Sequence, residues 1–556
     1  VELPFRLASN SRQSAASHNQ ITPKYDFFNR DPKVESQKIN CLQINSLQIS
    51  NQDTFSCFLG RVSTVLQFFV FLGFSSIRVA KYPGSRQNCA HLWGRNMRLK
   101  PESAGKVFAF AVLLLGLGAA LAWASVKVAN LDLHDVKLDN GLRVIMVVDH
   151  SAPVYSIDVC YNVGSRNERP GRTGFAHLFE HMMFEGSANV GKGEHFILIM
   201  NNGGGMNGTT NNDRTTYFEE LPKNQLDLGL YLEADRMRSL NINKSNVDNQ
   251  RNAVQEERRQ GIDNQPYGRA SLDLDSLSYD NFAYKHSVIG TMSDLNAASV
   301  QDVANFFKIY YAPNNAVLTL VGDFDPDQAL SKVKQYFGSI PRQPDPPPVV
   351  LDEEPHYGER SETIYDPLAR LPEIDIAYHV PPGDTAGNFA AQELAIIWGQ
   401  GESSRFYQHL VKEKQLASSV SVFADDRIGP SQFYISVNPR PGVKVEDLQR
   451  GLDDEIDGDI KSGVTADELA KAKTQMLRQF IDQRRSSLFT SILIGDYTVK
   501  FHDPDLINTI LDKENAVTLD DINAMTKKYF VRDQRAVVTT LPAAAGASAA
   551  GKGAGR

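Results

Sequence analysis

Four cysteines in 556 residues are too few for a disulfide scaffold, and they are unevenly placed: Cys41, Cys57 and Cys89 precede residue 97, leaving Cys160 alone afterwards. Clustered positive charge is also missing. Lys and Arg number 58 against 66 Asp and Glu, a formal net charge of -8, and no basic patch stands out. Phosphate binding needs such a patch, so nucleic acid is excluded as the main partner. Long apolar runs are scarce: only residues 107–124 reach the 18 positions that a bilayer span requires. What remains, with 42% hydrophobic residues, suits a globular chain of several domains with a sizeable core.

The first 96 residues differ from the rest. They hold 11 Lys and Arg against 5 Asp and Glu, are rich in Ser, Asn and Gln, and show neither helical nor strand periodicity. A fresh beginning follows at Met97: a basic leader "MRLKPESAGK", an apolar run, and Ala122-Trp123-Ala124 as a small-residue cleavage site. Together 97–124 read as a secretory signal peptide, with 1–96 a start-site artefact or a disordered extension. The other reading is an uncleaved inner-membrane anchor over 107–124. Either way the chain is expected to be exported, periplasmic in a bacterium, and once shortened to have no intramolecular disulfide.

From about residue 130 the pattern is regular. "VKLDNGLRVIMVV" places Asn140-Gly141 between two strand-like runs, a hairpin signal. "VYSIDVCYNVGS" alternates as a further strand, "LPKNQLDLGLYLEADRMRSL" and "SVQDVANFFKIYYAP" are helix-like, and "NNAVLTLVGDF" returns to strand. The order implies an α+β domain over 125–337. A proline-rich connector, "GSIPRQPDPPPVVLDEEP", opens a linker over 338–360. A second unit, 361–541, ends as the first does: "VQDVANFFKIYY" aligns with "LDDINAMTKKYF" and "NAVLTL" with "RAVVTT", at an offset of about 219 residues. This is a domain-scale duplication, not a solenoid, whose period is roughly 20–50 residues. Residues 542–556 are low-complexity and expected to be disordered.

The stretch "HLFEHMMFEGS" carries the chemistry. At i and i+4 on a helix, His177 and His181 share a face and can reach one metal ion, and Glu180 lies beside them, placed to take a proton from an attacking water. His-x-x-Glu-His is the inverted form of the commoner zinc motif. Catalytic zinc usually takes three protein ligands. In "NVDNQRNAVQEERRQG", Val247, Gln250, Val254 and Glu257 recur on one helical face, which favours Glu257 over Glu256 as the third. The competing readings are two exposed helix histidines and a solvated charged helix.

These residues, with Glu257 placed 76 positions after His181, resemble the pitrilysin family of inverted-motif zinc peptidases, which includes insulin-degrading enzyme and the mitochondrial processing peptidase. The resemblance covers roughly 130–541 and includes "GFAHLFEHMMFEGS", "NGTTNNDRTTYFEELP", "QRNAVQEERRQGIDNQPYG", "YYAPNNAVLTLVGDFDP" and "GQGESSRFYQHL". It implies two homologous domains, each a mostly antiparallel sheet packed with helices, forming half of a clamshell. It further implies one Zn2+ per chain on His177, His181 and Glu257, with Glu180 as general base. An extended peptide would add to a sheet edge at 203–217, where Asn207 and Thr209 are candidates for substrate contact. Three positions depart from the family. Gln250 stands where an acid often supports the metal site. Val411 and Ser418 stand where complete members carry an Arg and a Tyr that stabilise the tetrahedral intermediate. The departures imply a homologous subunit without the zinc motif that supplies Arg and Tyr, or a homodimer. The alternative is a non-catalytic, exported peptide-binding or structural clamp.

Overall fold

The computed structural model describes residues 128–354 and 358–543. The extension, the signal peptide or anchor, and the tail beyond residue 543 lie outside the described residues.

The first sheet is built from β1 (His134–Lys137), β2 (Arg143–Val148), β3 (Val154–Tyr161), β4 (Gly205–Thr210), β5 (Thr215–Pro222) and β6 (Ala316–Gly322), in the order β1-β2-β6-β3-β5-β4. Only β2 and β6 run parallel. The hairpin expected at Asn140-Gly141 joins β1 to β2. Gly141 has a φ of +93°, and a Cβ there would meet Asn314 Cβ at 2.7 Å, so the position requires glycine. Asn140 donates from Nδ2 to the carbonyls of Phe337 (2.9 Å) and Ile340 (3.0 Å), tying the turn to the start of the proline-rich connector.

The second sheet contains β7 (Arg360–Asp366), β8 (Glu373–Val380), β9 (Ala417–Ala424), β10 (Ser431–Pro439) and β11 (Arg535–Pro542), in the order β7-β11-β8-β10-β9, again with one parallel pair, β7 and β11. This is the order β2-β6-β3-β5-β4 of the first sheet.

The helices that matter for the site are α1 (Phe175–Met182), α2 (Glu194–Asn201), α3 (Leu226–Ser239), α4 (Lys244–Arg258) and α5 (Gly268–Ser278). With them go α6 (Val300–Tyr310), α7 (Ala386–Gly399), α8 (Ser487–Phe501), α9 (Leu506–Ala516) and α10 (Leu519–Tyr529). The duplication extends to capping: Ser299 and Asp302 form a reciprocal box at the start of α6, and Thr518 and Asp521 form the same box at α10.

The two halves exchange a helix. From the first half, α5 packs Ala270 and Leu274 against Ile364, Ala377, Ala536 and Val538 of the second sheet. From the second, α8 packs Ile494 and Tyr497 against Ile145, Val147, Cys160, Val317 and Val321 of the first. A sequence boundary between 337 and 361 therefore separates the sheets but not the cores. Ion pairs join the same junction: Arg214 Nε lies 3.0 Å from Asp496, and the buried Lys500 Nζ lies 2.8 Å from Asp426 and 3.3 Å from Asp496.

Candidate metal centre

Helix α1 buries Phe175, Ala176, Leu178, Phe179 and Met182 in the first core, which leaves His177, Glu180 and His181 on the opposite face. Its start is held by a side chain from the preceding loop. Glu168 accepts hydrogen bonds from the amides of Gly174 and Ala176, both at 2.8 Å, placing a carboxylate where the helix dipole favours negative charge. His286 Nε2 is 2.9 Å from the same carboxylate. Burial pushes the Glu168 carboxyl up, against the bonds from His286 and the two amides, while the Glu168 contact keeps His286 above the usual imidazole range despite its own burial.

Helix α4 is capped by Asn243, whose side chain accepts from the Asn246 amide. It is seated by Val247 and Val254, both fully buried, a contribution of about 1.5–3 kcal/mol each. The same face brings Gln250 and Glu257 to α1. Asn246 Nδ2 donates to the Glu185 carbonyl (3.2 Å), fixing α4 against the segment that follows α1. Immediately after Glu257 the helix widens into a π turn over Arg259–Asp263, a departure frequent at functional sites. Glu256 points away, 3.2 Å from Arg259 and accepting from Gln260.

Glu257 Oε2 lies 3.2 Å from His181 Nε2 and 3.6 Å from His177 Nε2, and the imidazole rings stand at 88° to each other. Ligands held at about 2.0–2.1 Å in a tetrahedron are about 3.3 Å apart. The donor set and its spacing thus fit zinc. Glu257, with half its side chain exposed, faces open space beside the histidines instead of the core. Burial lowers the pKa of His177. Burial also opposes charge on His181, but the bond to Glu257, the charges of Glu180 and Glu257, and the contact with Gln250 outweigh it and raise that imidazole.

Among the described residues strand β4 is at an edge of the first sheet, in the 203–217 segment where the resemblance implied one. A cleft of about 350 Å³ is lined by His177 and Glu180 on one side and by Gly208, Thr209 and Thr210 of β4 on another. Asn207 is exposed on that strand. Thr209 is already engaged: Arg214 Nη1 donates to its Oγ1 (2.5 Å) and its carbonyl (3.0 Å) while Nε reaches Asp496. In the second half, Val411 is buried, and the Ser418 hydroxyl bonds the carbonyls of Asn438 and Pro439, so neither offers a cationic or phenolic donor.

One other group of ligand-type atoms converges among the described residues: His195, Glu219 and Glu233, all buried. Arg236 already supplies the positive charge there, with its Nε 2.9 Å from Glu233. Burial pushes Glu233 up to about 8 and His195 down to about 3. The guanidinium lies 4.5 Å over the Tyr217 ring and 5.5 Å from that of Phe184, so the group supports the floor beneath α1.

Residues 143–292 match the family described as Insulinase (Peptidase family M16), and residues 297–476 match Peptidase M16 inactive domain. Zinc protease PqqE of Helicobacter pylori is 30% identical over 439 residues, covering 78% of this chain and 97% of that protein. An uncharacterized zinc protease of Bacillus subtilis, YmxG, is 22% identical over 399 residues, 71% of this chain and 95% of the relative. The crystal structure of a protease from Helicobacter pylori superposes with a TM-score of 0.71 at 29% identity, over 74% of this chain and all of that one. The fold also matches the periplasmic protease PqqL from Escherichia coli, with a TM-score of 0.62 at 19% identity, over 75% of this chain and 48% of PqqL.

Proposed function

This chain belongs to peptidase family M16, the pitrilysin-like zinc peptidases, and on that premise we propose that it is a zinc-dependent endopeptidase acting on unfolded peptides or small proteins. The observation that carries the reading is the convergence of His177, His181 and Glu257 at tetrahedral spacing beside Glu180 and the edge strand β4.

His177, His181 and Glu257 would hold the ion. When bound, zinc supplies a Lewis acid and lowers the pKa of water. Glu180 takes the proton of the attacking water on its carboxylate and delivers it to the leaving amine nitrogen. An extended peptide is read by main-chain bonds to β4, which favours unfolded substrates over a particular sequence, with Asn207 as a side-chain contact.

The chain acts as the catalytic subunit of a paired assembly. Val411 and Ser418 supply no group for a developing oxyanion, so a homologous subunit without the zinc motif, bearing Arg and Tyr, completes the site when the two close around the peptide. That the fold spans about half of PqqL supports pairing of such halves. The same gap supports the second reading, a clamp that holds extended peptides without cleaving them. The segment matched as an inactive domain contains none of the four site residues. Export to the periplasm rests on the signal-like 97–124; N-terminal sequencing of the secreted chain tests it, and a mature terminus upstream of Met97 refutes it.

The deciding experiment is Glu180→Gln with zinc content and peptide turnover read together, alone and with a co-purified partner. A peptidase keeps its zinc and loses at least about 10²-fold in rate. Wild type that binds zinc and peptide yet never cleaves establishes the clamp. Full activity as a lone homodimer refutes the division of labour.

A further inference from the structure

The metal histidines present the same nitrogen, Nε2, to Glu257, and an imidazole can ligate through Nε2 only if its remaining proton sits on Nδ1. For His177 nothing enforces this: its Nδ1 is buried without a hydrogen-bond partner among the described residues. For His181 the Nδ1 atom lies 3.2 Å from Gln250 Oε1. A carbonyl oxygen only accepts, so this contact holds the proton on Nδ1 and leaves the lone pair on Nε2.

A glutamine, unlike a carboxylate, can face either way, and its NH2 end would select the opposite tautomer. The other end of Gln250 settles the orientation. Its Nε2 donates to the carboxylate of Glu185, a side chain that is 6% exposed and lies 2.6 Å from Lys192 Nζ. A carboxylate cannot donate to the amide, so Glu185 fixes NH2 toward itself and Oε1 toward His181. The Glu185 main chain is anchored to α4 by Asn246, which keeps the three groups in one arrangement.

We propose that Glu185 is a positioning residue for the metal centre: acting through Gln250, it sets the tautomer and orientation of His181 and so supplies, one side chain removed, the charge of the missing acid. The proposal rests on the zinc reading above. It adds that the acid and the amide have exchanged places along one hydrogen-bonded row, Lys192 to Glu185 to Gln250 to His181.

The test measures zinc affinity of the purified, metal-stripped chain by competition with a chromophoric chelator. Glu185→Gln is expected to weaken zinc by about 10- to 100-fold, the usual effect of losing a partner of a ligating histidine. Gln250→Glu alone sets two carboxylates against each other and also weakens binding. The exchange E185Q/Q250E restores an acceptor to His181 Nδ1 and a donor to its neighbour, and returns affinity to within about threefold of wild type. In the zinc-loaded chain the His181 Nδ1 proton is expected to be hydrogen-bonded and slow to exchange in wild type and to lose that protection in Glu185→Gln, with the His177 ring as the internal reference that general destabilisation would move equally. If Glu185→Gln does not fold, Gln250→Leu interrupts the same row while leaving Glu185 with Lys192, and the same loss is expected. Unchanged affinity in Glu185→Gln, or an exchange variant no better than that single variant, overturns the proposal. A wild-type chain that binds no zinc overturns the peptidase reading itself, a distinguishable outcome.

Discussion

A Cβ built on Gly208 would stand 3.2 Å from Cγ of Glu180. The edge strand and Glu180, the proposed general base, are therefore close neighbours, and the absence of a side chain at 208 is what lets them approach. Gly208→Ala is expected to displace Glu180 by a few tenths of an ångström and lower kcat about 10- to 100-fold, with zinc stoichiometry unchanged. Steady-state kinetics alongside metal analysis checks this; normal turnover would show that Glu180 has room to spare.

Asn207 and Thr209, equivalent in the sequence reading, separate in the structure. Asn207→Ala is expected to raise KM for peptides with little change in kcat, because that side chain is exposed along the edge. Thr209→Val deletes an acceptor for the partly buried Arg214 guanidinium, and is expected to lower unfolding free energy by about 1.5–3 kcal/mol, the usual range for a bond to a charged group. Urea denaturation of both variants, paired with kinetics, distinguishes the two roles. A stable Thr209→Val with raised KM would reverse the assignment.

Glu393 on α7 is wholly buried, and neither carboxylate oxygen has a hydrogen-bond partner among the described residues. Burial raises its pKa to about 8, opposed by the charge of Lys473 and assisted by that of Glu514, which burial raises to about 7. The folded-state values exceed the unfolded ones, so the stability these groups allow is full below about pH 4.5 and declines as pH rises toward 8. Glu393→Gln mimics the protonated form. Its melting temperature should match wild type near pH 4.5 and exceed it at pH 8, by on the order of 2 kcal/mol of stability. Equal melting curves at both values would mean that Lys473 neutralises Glu393 in the fold.

Local pattern carried the sequence reading a long way. The Asn140-Gly141 turn, the shared face of His177 and His181, and the periodicity that selects Glu257 each depend on a few neighbouring residues of one turn or one helix, where local spacing decides which way a side chain points. The duplicated ends were legible because β6 and β11, with the helices before them, keep both their apolar pattern and their capping residues. What stayed hidden depends on partners remote in the chain. Glu168 reads as a loop acid until it is seen capping α1. Arg214 finds Asp496 at a distance of 282 residues along the chain. The exchange of α5 and α8 was equally invisible, since an apolar stripe shows that a helix is buried but not which sheet buries it.

In each half the strand made last is not at an edge. β6 enters between β2 and β3, and β11 between β7 and β8. On the ribosome neither sheet can close until that strand emerges, so the helix bearing His177 and His181 exists for more than a hundred residues of synthesis before the surface that seats it is complete. A chain shortened just before Arg535 would keep His177, His181 and Glu257 and still fail, with β7 left unpaired and α5 deprived of the surface it covers. The nascent protein exposes each unfinished sheet in turn, the first until β6 emerges and the second until β11 does, and such open strand edges are where aggregation begins.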